Sequence, residues 1–158
     1  MDPEHPRHPR RVFLAAAGLA AVAPFGARTL AAGAALSDAE QANVALVQTF
    51  CAAWSTRDLQ KVLPLMADDC VYRMTETTPP AIGHQGVTDR LGTWMQTSDR
   101  IEFRILETFA AGPVVMTHRI DRFMSTTRPL TWEGVGVFFV KDSKIKEWSD
   151  YTIHSQRT

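Results

Sequence analysis

Apolar residues recur at two different periods along this 158-residue chain, and the change of period divides it. Up to Met95 most of the spacing is helical. Val47, Phe50, Cys51 and Trp54 fall three or four positions apart and form one apolar stripe, which predicts a first helix. Its start is written in Ser37-Asp38-Ala39-Glu40, a capping box in which Ser37 accepts from the Glu40 amide while Glu40 reaches back. Asp58 is placed to cap a second, shorter helix with Leu59, Val62, Leu63 and Met66 on its inner side. Pro64 has no amide hydrogen and is expected to bend or interrupt that helix. Val87, Leu91, Trp94 and Met95 mark a third helix.

One strand is embedded among these helices. Cys70–Met74 alternates, with Cys70, Tyr72 and Met74 on one face; Thr77-Thr78-Pro79-Pro80 ends it, and Ile82–Gly86 reads as a turn. From Ile101 onward the period is two. Ile101–Phe109, Val114–Phe123, Leu130–Val140 and Ile145–Ile153 are predicted strands, separated by Gly112-Pro113, Ser125–Pro129 and Lys141–Lys144. Helices first and hairpin-linked strands afterwards argue for an α+β fold, a curved antiparallel sheet folded around the helices. Gly134 and Gly136 are where such a sheet would bend.

Composition narrows the function. The length supports one core, and a formal net charge of zero without a basic run leaves nucleic acid no electrostatic grip. Cys51 and Cys70 have no paired Cys/His spacing, so a structural zinc site is not expected; in an oxidising compartment the two can pair, but buried free thiols are expected if the chain folds before export. Residues 1–34 stand apart. Arg10-Arg11-Val12-Phe13-Leu14 followed by an alanine-rich run resembles a twin-arginine export signal, with Ala32-Gly33-Ala34 as a small-x-small cleavage site. The run stops at Pro24, short of the roughly 20 residues that span a bilayer. The expected organisation is an export signal over 1–34 and one domain over 35–158, exported to the periplasm or beyond, with no membrane contact after signal removal; the alternative is a cytoplasmic protein with a disordered extension or a misplaced start codon.

The chemistry concentrates in Thr117–Phe123. On a strand Arg119, Asp121 and Phe123 point one way, and His118, Ile120 and Arg122 the other. A guanidinium and a carboxylate are thereby set side by side, and the arginine has donors left for a second acid. Asp150 offers that acid, sharing a face with Trp148 and Thr152. An Asp–Arg–Asp cluster on a cavity wall is expected, because Phe123 and Trp148 mark these faces as inward. His118 lies on the opposite face and is read as structural; His84 and His154 are read as surface residues. Met66, Met74, Met95, Met116, Trp94, Trp132 and Phe138 are candidates for pocket or core lining.

These residues resemble a known family. Asp69–Gly83, Leu106–Phe109, Arg119-Ile120-Asp121, Gly136-Val137-Phe138 and Lys144–Tyr151 together look like the limonene-1,2-epoxide hydrolases, which have the cone-shaped fold of the nuclear-transport-factor-like proteins. The resemblance covers residues 37–154 and implies a cone-shaped barrel with an internal pocket, a homodimer, no cofactor and no metal. It implies that Asp150 is the general base acting on water, Asp121 the acid that protonates the epoxide oxygen, and Arg119 their bridge. Tyr72 would hold the water, while Met74, Trp148, Phe123 and Phe138 would line the substrate pocket. The partner so implied is a small apolar epoxide. One position departs from the pattern: Met74 stands where the family has a water-holding asparagine, two residues after the strand tyrosine. An isomerase or epoxide-opening cyclase on the same cone, or a non-catalytic binding module, is the alternative.

Overall fold

The computed structural model describes residues 35–75, 77–127 and 129–157, so the proposed export signal lies outside the described residues. Helix α1 (Asp38–Ala53) begins at the predicted capping box: Ser37 Oγ accepts from the Glu40 amide, and a Glu40 carboxylate oxygen accepts from the Ser37 amide at 2.9 Å. Val47, Phe50 and Cys51 are buried along one side of the helix, and Trp54 follows in a 3-10 turn. Asp58 caps α2 (Leu59–Val62) through the Gln60 amide. Pro64 then converts the chain to a second 3-10 turn, so Met66 opens a strand and does not close a helix.

That strand, β1 (Met66–Arg73), is longer at its start than the pattern predicts, and it leaves Met74 just beyond its end. The predicted Ile82–Gly86 turn is not a turn. Ala81–Ile82 pairs with β1 as the short strand β2, and Gly83, with φ +68°, swings the chain directly into α3 (Gly83–Thr97). His84 sits in the first turn of α3, its ring nitrogen 3.3 Å from the Met66 carbonyl, so it is tied to β1 rather than loose. Val87, Leu91 and Met95 are the buried stripe of α3.

The remaining strands are β3 (Arg100–Ala111), β4 (Val114–Met124), β5 (Leu130–Lys141) and β6 (Lys144–Arg157). They form one sheet of order β2-β1-β6-β5-β4-β3, antiparallel throughout except where β1 runs parallel to β6. The sheet is curved and unclosed, and with three α-helices on its concave side it has the cone architecture. The core lies between α1, α3 and the concave face, with Phe50 edge-on to Trp54, Phe138 and Trp148. The convex face leaves Phe109, Met116, Phe139, Tyr151 and Ile153 exposed, so Met116 points outward and lines neither pocket nor core. On the same face His118 pairs with Glu133 at 3.0 Å, in keeping with a structural histidine. Cys51 and Cys70 are buried free thiols.

Candidate active site

Arg119 belongs to β4 and Asp150 to β6, with β5 between them, so their backbones are about 10 Å apart across two strand spacings. Arginine is long enough to bridge that gap only if nothing rises from the strand below. Gly136, which faces Thr117 on one side and Asp150 on the other, supplies the clearance. A Cβ there would stand 1.8 Å from the Arg119 guanidinium. The glycine predicted as a bend is therefore a gap through which the cluster is assembled. Gly134 does mark an irregularity in the β5–β6 register, and a Cβ there would strike the Trp132 ring. Gly136→Ala is expected to destabilise the fold by about 1–3 kcal/mol through overpacking and to dislodge Arg119. A urea midpoint equal to wild type would contradict this.

With the gap in place, Arg119 uses its whole fork. Its Nε–H is shared by both oxygens of Asp121 at 3.0 Å, one terminal nitrogen donates to Thr117 Oγ1 at 3.3 Å, and the other donates to Asp150 at 2.7 Å. Arg119 is wholly buried, and Asp121 and Asp150 are 3% and 7% exposed. The guanidinium lies within 6 Å of four aromatic rings, those of Phe103, Trp132, Phe138 and Trp148. Arg119 is a suitable ion to bury here, being more weakly hydrated than an ammonium and able to stack on aromatic faces.

Parallel pairing of β1 with β6 sets Tyr72 opposite Trp148, their rings stacked at 4.1 Å, and aims the Tyr72 hydroxyl at Asp150 across 3.3 Å. Trp148 donates its indole N–H to Asp150 at 2.8 Å. Among the described residues, Asp150 thus receives three donors, from Arg119, Trp148 and Tyr72, whereas Asp121 receives only the one shared Arg119 N–H. Burial pushes both carboxyls upward: Asp121 to about 7, partly offset by Arg119, and Asp150 also upward, with Arg119, Trp148 and Tyr72 opposing the rise. Burial works against the charge on Arg119, but the two carboxylates outweigh it and raise its pKa further. Donors that stabilise a carboxylate favour its ionised form, so the donor arrangement favours the charge on Asp150 and the proton on Asp121.

Both carboxyls open onto a cavity of about 240 Å³. Tyr72, Met74, Phe123 and Trp148 are on its wall as the sequence suggests, together with Trp94 and Trp132. Phe138 is not: it is fully buried behind the wall, stacked parallel to Trp148 at 6.0 Å. The alternation of β5 places Phe138 on the inner face without saying that α1 already covers it. Sequence reasoning passed over Thr117, two residues before Arg119 on the same face, and the clearance at Gly136. Trp132, a lining candidate in the sequence, is on the wall, and its indole donates to Thr152 Oγ1 at 2.8 Å. Asn43 is outside the site, holding the Gly112 carbonyl at 3.1 Å. Among the described residues no group of three or more His, Cys, Asp or Glu is arranged to hold a metal ion.

Comparison with known proteins gives the family and the fold. An LEH-like epoxide hydrolase of M. tuberculosis is 26% identical with a TM-score of 0.59, covering 72% of this chain and 84% of its own. A putative polyketide cyclase of Xanthomonas campestris is 21% identical (TM-score 0.61, coverage 71% and 90%). A SnoaL-like putative polyketide cyclase of Jannaschia sp. CCS1 is 13% identical (TM-score 0.66, coverage 77% and 92%). No curated protein matches the chain. Residues 47–148, well over half of the sequence, match the SnoaL-like domain, and the chain therefore belongs to that family of the nuclear-transport-factor-like fold.

Proposed function

We propose that this protein hydrolyses a small apolar epoxide to a diol in one acid–base step. The observation that carries the reading is a buried Asp121–Arg119–Asp150 cluster, asymmetric in its donors, on the wall of a cavity lined mainly by aromatic rings. Asp150, held ionised, takes a proton from water as the water oxygen attacks one ring carbon. Asp121 delivers its proton to the epoxide oxygen as the carbon–oxygen bond breaks. Each transfer contributes roughly 10²–10⁴-fold to the rate. Arg119 fixes the distance between the two acids and takes no part in the proton traffic, because it does not deprotonate. The proton gained by Asp150 must return to Asp121 before the next turnover. Tyr72 already donates to Asp150, and its remaining lone pairs are free to accept from the attacking water.

Met74 favours a second reading. Half-buried on the cavity wall where a water-holding asparagine is expected, it offers nothing to orient water. A cyclase or isomerase would use the same two acids with a substrate hydroxyl, or no nucleophile, in place of water. Turnover of limonene oxide and cyclohexene oxide in oxygen-18 water separates these. Labelled diol supports hydrolysis, unlabelled ring ether or isomer supports the second reading, and binding without turnover leaves a ligand-binding module. Met74→Asn is expected to raise the rate of labelled diol formation about five- to tenfold, the worth of one well-placed hydrogen bond. A rate at or below wild type would mean that position 74 has no part in placing the water.

Export through the twin-arginine route is also proposed, from residues 10–14. Replacing Arg10 and Arg11 by lysine is expected to leave the protein in the cytoplasm, as read by cell fractionation; unchanged export would end this proposal.

A further inference from the structure

The cluster contains two acids and one base, so with both carboxyls ionised the cavity wall carries one uncompensated negative charge. Charge of that kind is costly to bury and must be matched by a proton or by a counter-ion. Among the described residues, the other titratable groups around it do not supply the match. Arg119 is already counted, Tyr72 is held neutral by burial, and the Cys51 thiol beneath Arg119 is pushed up to about 12 and stays protonated. Asp121 is the acid with fewer donors, and burial raises it to about 7, so it changes charge near neutrality. Its two oxygens accept a single shared N–H from Arg119, leaving acceptor capacity toward the cavity. Around that carboxyl the wall includes Phe103, Phe123 and Trp132, aromatic surface for alkyl groups to pack against; Arg119 already lies over Phe103 and Trp132, which leaves Phe123 as the ring not yet facing a described cation. A cavity of about 150 Å³ holds benzene, so by proportion 240 Å³ holds about ten non-hydrogen atoms.

We propose that this cavity binds a small hydrophobic ammonium ion, whose N–H is donated to Asp121 and whose alkyl groups lie against the surrounding aromatic rings. The cation takes the place of the Asp121 proton. It occupies the site proposed for the epoxide and competes with it, but its binding requires only the charge and shape of the cavity, not turnover.

The test is calorimetric titration of the whole protein with N,N-dimethylcyclohexylamine, protonated at neutral pH, and with 2-cyclohexyl-2-propanol, a neutral molecule of similar shape. At pH 8 the ammonium is expected to bind at least tenfold more tightly than the alcohol. At pH 7, titrations in phosphate and in Tris are expected to report release of about half a proton, the fraction carried by Asp121 at its midpoint. Below pH 6 the affinity for the ammonium should fall roughly tenfold per pH unit while that for the alcohol stays level. Asp121→Asn is expected to abolish the preference. Equal or tighter binding of the alcohol, no proton release by the wild type, or no binding of either probe would overturn the proposal. Because these readouts come from binding, absence of diol formation would count against hydrolysis alone.

Discussion

Asp150→Asn is expected to lower the rate of diol formation by about 10²–10⁴-fold, while the affinity for a non-reacting epoxide analogue stays within a few-fold of wild type. The substitution is nearly isosteric. An asparagine carbonyl oxygen can accept from Arg119 and Trp148 as Asp150 Oδ1 does at 2.7 and 2.8 Å, so the local structure has reason to persist. What disappears is the capacity to accept a proton from water. The wild-type rate should also fall as pH rises above about 7, because Asp121, raised to about 7 by burial, must be protonated to act as the acid. At low pH the rate should fall as Asp150 gains a proton, so the profile reports the pair together. Retention of wild-type turnover in Asp150→Asn, with labelled diol as product, would remove Asp150 as the base.

Arg119→Leu is the second large effect, and it concerns stability. Arg119 is fully buried and is the only cation hydrogen-bonded to either carboxyl of the cluster among the described residues. Its removal leaves Asp121 and Asp150 buried without a counter-charge, and breaking a buried pair from one side costs about 3–5 kcal/mol. The deficit has a pH signature. Burial raises both carboxyls above their unfolded values, so the folded state gains from their protonation at low pH and loses it as pH rises through the folded pKa. Without the arginine that rise is larger. Urea unfolding should therefore show a greater loss relative to wild type at pH 8 than at pH 5. A deficit independent of pH would mean that the substituted side chain fails by packing alone.

Much of this architecture is legible in local patterns because the causes are local. The capping box over Ser37–Glu40 satisfies helix-end amides within four residues, and Asp58 does the same for α2. Gly112 and the Asp142-Ser143 pair adopt positive φ at the hairpin turns where the pattern breaks. Strand parity likewise fixes Arg119 beside Asp121, and Trp148 beside Asp150, since residues two apart share a face. The failures are equally physical. Ala81–Ile82 becomes a strand because β1 offers it an edge, and Met116 faces outward because an inner and an outer apolar position look alike in a two-sided sheet.

What only the tertiary structure decides is the meeting of residues far apart in sequence. Tyr72 reaches Asp150 through parallel pairing of β1 with β6, whose register no local pattern specifies. Arg119 reaches Asp150 because strand order puts Gly136 between them, and the missing side chain there is as necessary as the long one above it. The difference between the two acids, one with three donors and one with a single shared donor, follows from those contacts and from burial together. The sequence determines which groups are present and which face they share; the fold determines the dielectric around them and the partners each one has, and these set which acid holds the proton.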